Sequence, residues 1–308
     1  MRSAFEHLDF EHKNNLSLLI QKITTAVAIE KIVCYGFSIK SNHRHNCSGL
    51  GNTNTGNAPA IFYLLVIPDK EEPRCSHDII QTIDNFNTPL LSVSCIILRE
   101  PFVSTAISEG RLFLTTLRKK GCLLYGYEWK TTPLSAKEEP LQHRLAAAEL
   151  IWKQVFTRAQ QFLQGAAFCL KSQMPETCCF LLHQAVEQTT MALSGALIGY
   201  RPDSHNLLRL LPLLAYAGLE LDTVFPQNTQ QEKDLFNILK KSYSETRYNN
   251  DFSIPQNTAQ ILYNRTANLM TQAETIFLFE TNKWRGQQPI HNKPALNVAF
   301  LNTLNNAS

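Results

Sequence analysis

The chain has 308 residues, 44% of them hydrophobic, a formal net charge of +3 and eight cysteines. That length holds two domains, each with its own core, and the hydrophobic content excludes a disordered chain. The charge is too small to mark a nucleic-acid binder by itself, and no apolar run reaches the ~20 residues that cross a bilayer.

The N-terminus, MRSAFEHLDFEHKNN, is polar and carries acids, unlike a secretory signal or a transit peptide. Cys34, Cys95, Cys122 and Cys169 sit inside apolar runs, where a free thiol behaves as a small hydrophobe. Reduced thiols in a cytoplasm are therefore expected, with no membrane association.

In chain order, Leu16, Leu19, Ile20, Ile23 and Val27 recur at helical spacing and predict a helix over Asn15–Ala28. Lys31–Ile39 is a short strand-like run broken by Gly36, and Lys40–Pro59 is a loop rich in Ser, Asn, Gly and His. Ala60–Pro68, AIFYLLVIP, is a continuous apolar run expected near a sheet centre. Asp78–Phe86 reads as a helix, Leu91–Leu98 as a strand, Ser108–Lys119 as a helix and Gly121–Tyr127 as a short strand. This alternation predicts a small α/β layer.

Composition shifts at Thr131–Pro140, TTPLSAKEEP, the expected boundary between domains. Beyond it, Leu141–Ser172, Cys178–Tyr200, Asn206–Ala217, Thr229–Arg247 and Pro255–Phe279 read as helices, with Pro212 a kink in the third. The tail Thr281–Ser308 is rich in Asn and Gln and expected to be loosely held.

The stretch Cys178–Tyr200 organises the second half. It sets His183 and Glu187 one turn apart inside an otherwise apolar helix, and such a pair has to be solvated, hydrogen-bonded or paired with a charge from elsewhere. Arg247, flanked by Tyr243 and Tyr248, offers a phosphate fork and ring faces for bases. Arg247 is the expected partner of Glu187, directly or through His183, in a polar cleft flanked by the two tyrosines. His43, His45 and Cys47, with Cys75 and His77 later, match no structural zinc spacing, and no metal site is expected. Gly36-Phe37-Ser38 follows a strand and suits a tight turn or a backbone approach to phosphate.

FLLHQAVEQTTMAL, then SHNLLRLL from Ser204, then YSETRYNNDF together resemble the HEPN domain, a helical bundle of prokaryotic nucleotide-associated proteins. The resemblance covers about Leu141–Phe279. It implies an α+β two-domain chain: a nucleotidyltransferase-like α/β domain over 1–134, a HEPN bundle over 141–280 and a polar tail over 281–308. The nucleotidyltransferase Gly-Ser signature would fall at Gly36 and Ser38, and its metal-binding carboxylates at Ile61 and Tyr63. Nucleotidyl transfer needs Mg²⁺ held by carboxylates, so that activity is not expected here, and Mg²⁺ only if a nucleotide binds. No cofactor is otherwise expected.

HEPN ribonucleases resemble this chain at Arg247, but the His that follows their Arg is missing from YNNDFSI, while His183 and His205 fall where the family has fold-associated positions. The resemblance thus implies a protein that binds a nucleotide or RNA at His183, Glu187, Tyr243, Arg247 and Tyr248 and works through association as a homodimer. The alternatives are a ribonuclease toxin of a defence or toxin–antitoxin system, with Arg247, Tyr243 and His183 as its catalytic set, or a protein-interaction partner that neutralises such a toxin.

Overall fold

A computed structural model describes residues 8–39, 59–127, 129, 140–219 and 221–286. Helix α1 (Phe10–Ala26) leads into strand β1 (Ile29–Ile39). Strand β2 (Ala60–Pro68), helix α2 (Ser76–Asp84), strand β3 (Leu91–Ile97), helices α3 (Phe102–Ser108) and α4 (Leu112–Lys120) and strand β4 (Cys122–Tyr125) follow. The four strands form one sheet in the order β3-β2-β1-β4, with β2–β3 parallel and the β1–β2 and β1–β4 pairs antiparallel. As its unbroken apolar run predicts, β2 is an interior strand, buried along nearly its whole length.

Each face of the sheet is covered, which is why this half cannot show a clean alternation of polar and apolar residues. One face carries Ile32, Cys34, Phe62, Leu64 and Val66 against α1 and α2. The other carries Val33, Tyr35, Tyr63, Leu65 and Ile67 against α3 and α4. The helix expected over Ser108–Lys119 is α4 and starts later, at Leu112, because the chain turns at Gly110, where φ is +76°; the sequence reading did not expect α3 before that turn. Gly36 and Ser38 lie inside β1, beside a bulge between Cys34 and Gly36, and not in a turn after it.

The second half is all helix among its described residues: α5 (Leu141–Lys171), α6 (Pro175–Leu193), α7 (Leu207–Tyr216), the short α8 (Leu221–Val224), α9 (Gln230–Tyr248) and α10 (Gln256–Trp284). Pro175 opens α6, where its missing N–H costs nothing. Thr229 and Glu232 close a reciprocal capping box on α9. Trp152 stacks between Phe156 and Phe277 at 4.1 and 4.3 Å and pins α5 to α10. Helix α10 runs on past the expected end of the bundle, with Thr281 fully buried and its hydroxyl donating to the Phe277 carbonyl. The expected tail therefore starts later, and residues 287–308 lie outside the described residues, as do the 40–58 segment with His43, His45 and Cys47 and the boundary segment 131–139.

The expected helix over Cys178–Tyr200 does not stay α-helical. It widens into a π turn over Ser194–Ile198 and stops at Gly199, where φ is +76°. Ile198 and, from α7, Leu213 join the core on the Tyr63 face of the sheet. Tyr200 stacks on Phe113 of α4, with centroids 5.1 Å apart, and Arg209 pairs with Asp84 at 3.2 Å. The two halves thus share one apolar seam.

Past the end of β2, Glu72 is buried and ties three segments together. It accepts from the Ala28 amide, from the Arg74 amide and from the Arg74 guanidinium, while Arg99 donates to the carbonyls of Glu72 and Arg74. The Arg74 guanidinium beside it holds the Glu72 carboxyl down to about 2, against an ordinary 4.5. A carboxyl lowered on folding contributes stability that is complete above 4.5 and lost as pH falls toward 2. Glu72→Gln should therefore cost about 1.5–3 kcal/mol near neutrality and flatten that acid limb, as read from melting temperature against pH. Gly199→Ala should cost about 1–2 kcal/mol by forcing a side chain into the left-handed region, measured by urea unfolding.

Candidate functional site

Helix α6 runs through the middle of the bundle, and from Leu182 to Leu193 nearly every side chain on it is buried. His183 and Glu187 are almost fully buried, at 1% and 2% exposure. At that depth every polar atom needs a partner.

His183 finds two. Its Nδ1 lies 3.1 Å from the Leu239 carbonyl of α9 and its Nε2 lies 3.1 Å from the His205 carbonyl before α7. Burial pushes the ring below the usual histidine range, and the two carbonyls and Glu187 oppose that push. A neutral ring has one N–H and donates to one carbonyl at a time. His183 therefore staples α6 to α9 and to the entry of α7, as a structural group.

Glu187 does not pair with Arg247, as the sequence suggested. Its Oε2 lies 3.0 Å from Nδ1 of His205 and 3.9 Å from Nε2 of His183, and its Oε1 accepts from the side-chain Nε2 of Gln188. Arg247 is held elsewhere: its Nε donates to the Tyr243 carbonyl at 2.8 Å, and its Cζ lies 4.2 Å from the Tyr243 ring centroid and 4.9 Å from that of Tyr248. A guanidinium one turn along a helix from a tyrosine reaches the ring face more readily than it reaches into the core.

Sequence reasoning did not select His205. The structure brings it to the centre of the site. Local turn chemistry puts it there: the Asn206 amide donates to Ser204 Oγ, and Asn206 Oδ1 accepts from the Leu208 amide at the start of α7. The His205 ring stacks on Tyr243 at 5.1 Å and 15°, and the His183 ring packs on the same tyrosine at 5.1 Å. The His205 side chain is 56% exposed, whereas its carboxylate partner is buried. A carboxylate only accepts, so Nδ1 is the donor and Nε2 keeps its lone pair. That Nε2 has no hydrogen-bond partner among the described residues. The signal in the sequence was the buried Glu187, which required a cation or donor without saying which.

The result is a continuous array: a buried carboxylate, an oriented and accessible imidazole, a phenol ring against that imidazole, and a guanidinium against the same phenol. It can bind an anion through Arg247, stack a base on Tyr248, which is 78% exposed, and move a proton through His205.

The four positions of the expected nucleotidyltransferase signature also come together, since Gly36 pairs with Tyr63 and Ser38 with Ile61 across β1 and β2. Tyr63 is buried and stacks on Tyr35 at 6.0 Å, and Ile61 packs into the same seam. A phenol inside a ring stack and a branched alkyl group do not fit a Mg²⁺ ion, which takes carboxylate and phosphate oxygens. Among the described residues no group of three or more His, Cys, Asp or Glu side chains is placed to hold a metal, and no helix is long and apolar enough to cross a membrane.

Among curated proteins no match is found. A nucleotidyltransferase-like protein from Exiguobacterium sibiricum 255-15, known as a crystal structure, is similar over 95% of this chain and 87% of its own, at 11% identity and a TM-score of 0.25. Residues 152–276, from the middle of α5 to near the end of α10, match the HEPN domain. The helical half of this chain, with Glu187, His205, Tyr243 and Arg247 inside the matched span, carries a HEPN domain.

Proposed function

We propose that this chain binds single-stranded RNA across Tyr243, Arg247 and Tyr248 and cleaves it with His205 as the proton-transfer group. The observation that carries the reading is the 3.0 Å contact between buried Glu187 and half-exposed His205. A buried carboxylate that orients an imidazole and leaves its other nitrogen open is the usual support for a general base.

RNA brings its own nucleophile. His205 Nε2 takes the proton of a 2′-hydroxyl, the 2′-oxygen attacks the adjacent phosphorus, and the 5′-oxygen leaves and takes a proton from water. The products are a 2′,3′-cyclic phosphate and a 5′-hydroxyl. Arg247 neutralises the charge that builds on the non-bridging oxygens. His205 thus supplies, from before α7, the imidazole that the sequence after Arg247 lacks. Arg247, Tyr243 and the rings beside them keep the binding role expected of them, whereas His183 has no open nitrogen and acts by holding the helices.

A second reading, RNA binding without cleavage, is supported by Tyr248, an exposed ring beside a guanidinium that serves as a stacking platform. Action as a homodimer in a cytoplasm, within a defence or toxin–antitoxin system, extends the same proposal from the HEPN domain.

Two outcomes are expected. Unstructured RNA incubated with the purified chain gives fragments ending in 2′,3′-cyclic phosphate, and His205→Ala lowers the rate by about 10²–10⁴-fold with RNA binding retained. Arg247→Ala weakens RNA binding and reduces its salt dependence while the melting temperature holds, because the side chain is exposed. RNA left intact by the unmodified chain but still bound, with Arg247→Ala abolishing binding, would leave the binding reading alone. Failure of both refutes the proposal.

A further inference from the structure

Tyr243 and Arg247 occupy one end of a groove that runs along α6. Helices α5 and α9 both pack on α6 and scarcely touch each other. Leu181 of α6 faces Gly165 of α5, whereas His183, two residues on and nearly opposite round the helix, meets the Leu239 carbonyl of α9. Helix α10 packs on α6 and closes the space between them on one side. On the other side α6 presents the row Phe180, Gln184 and Gln188, spaced i, i+4 and i+8. We propose, resting on the RNA reading, that this groove takes about six nucleotides of single-stranded RNA, with Arg158 and Arg201 holding backbone phosphates beyond the one that Arg247 holds.

Each end of the row carries a guanidinium. The Arg247 Cζ lies 5.9 Å from the Phe180 ring centroid. Arg158, exposed on α5, donates from Nη1 to Oε1 of Gln188 at 3.4 Å. Gln188 in turn donates to Glu187 Oε1, so Arg158 is two hydrogen bonds from the carboxylate that orients His205. From Phe180 to Gln188 the row runs ~12 Å along the helix axis. Two turns beyond Gln188 is Gly195, where an added Cβ would lie 3.0 Å from Cγ of Arg201. The bare backbone there lets the Arg201 stem lie across this face, and the residue stays exposed. From Phe180 to Gly195 the distance is ~22 Å, about six steps of a stacked strand at ~3.4 Å each.

The charge balance favours a polyanion. Among the described residues Arg158, Arg201 and Arg247 form no ion pair, so their charge is not neutralised within the protein. The carboxylate at the floor, Glu187, is buried and committed to His205 and Gln188. Midway along the row, Gln184 Nε2 is shielded from water and has no hydrogen-bond partner among the described residues. A ribose oxygen or a base carbonyl above the row gives that amide an acceptor. With spaced guanidiniums, an unmatched amide and the exposed Tyr248 ring at one end, the groove fits a phosphodiester chain better than a lone anion.

Fluorescence anisotropy of the full chain with labelled 2′-O-methyl RNA trimers and hexamers, which bind without offering a nucleophile, tests the footprint. The hexamer should bind at least about tenfold tighter than the trimer. Arg201→Gln should weaken the hexamer about tenfold, lower its salt slope by about 0.7 and leave the trimer unchanged. Arg158→Gln, nearer the middle of the row, and Arg247→Ala should weaken both lengths. Lys22→Ala, which removes an exposed cation from α1, should weaken neither. All three arginines are exposed, and unchanged melting temperatures will show that the variants fold. A hexamer that binds no tighter than the trimer, or is indifferent to Arg201→Gln or Arg158→Gln, overturns the footprint, and the RNA reading stands as long as Arg247→Ala weakens both lengths. Equal weakening by Lys22→Ala reduces the effect to net charge and overturns the footprint too. If neither length binds, the footprint falls, and cleavage and binding of long unstructured RNA decide the RNA reading by themselves.

Discussion

A carboxylate buried in the middle of an apolar helix sets the terms for the bundle. Glu187 has almost no access to water, so the chain must bring it a donor or lose several kcal/mol to an unpaired buried charge. It brings His205, from the segment that enters α7. The His205 carbonyl in turn accepts from or faces His183 one turn back on α6, and the other nitrogen of His183 faces the Leu239 carbonyl on α9. Three helices are therefore registered by one small polar network. Their apolar packing supplies most of the stability, and the network fixes where each helix sits along its neighbours.

The same network explains why the site is half inside and half outside. Its carboxylate and one imidazole are buried and rigid, and the second imidazole and the guanidinium reach the surface over one tyrosine ring. A proton-transfer group held by a buried carboxylate loses little orientational freedom, which is what positioning requires. Arg247 is held differently, by a backbone carbonyl and two phenol rings, and keeps its outer nitrogens for an anion.

In the N-terminal half, Ile61 and Tyr63, where the nucleotidyltransferase resemblance would place carboxylates, are taken up by the packing of a sheet covered on both faces. Tyr63 completes a run of rings, Tyr63 on Tyr35, Tyr35 on Phe113 and Phe113 on Tyr200, that crosses from the sheet into the bundle. That run buries aromatic area at the seam and makes the relation of the two halves a matter of packing. A half-open cavity behind Phe113 follows from the same arrangement, since a rigid aromatic wall on one side and a π turn on the other leave a gap that aliphatic side chains do not fill.

Much of this was written in the sequence, where it was a matter of periodicity or burial. The run Ala60–Pro68 had to be an interior strand because it has no polar face to give to water. Pro175, Thr229 and Glu232 announced two helix starts through local chemistry alone. The depth of Glu187 followed from its apolar neighbours on α6, and so did its need for a partner. The choice of that partner did not follow, because Arg247 and His205 are both far along the chain from Glu187 and only the packing of α7 and α9 against α6 decides which comes near. Arg247 lost to a ring on its own helix, one turn away, and His205 won through a turn set by Ser204 and Asn206. The π turn at Ser194–Ile198 was equally silent in the sequence, since its residues suit an α-helix and the widening shows itself only where the bundle meets the sheet. Sequence fixes what each segment must bury and what it must satisfy; tertiary packing fixes with whom, because that depends on distances that no local spacing encodes.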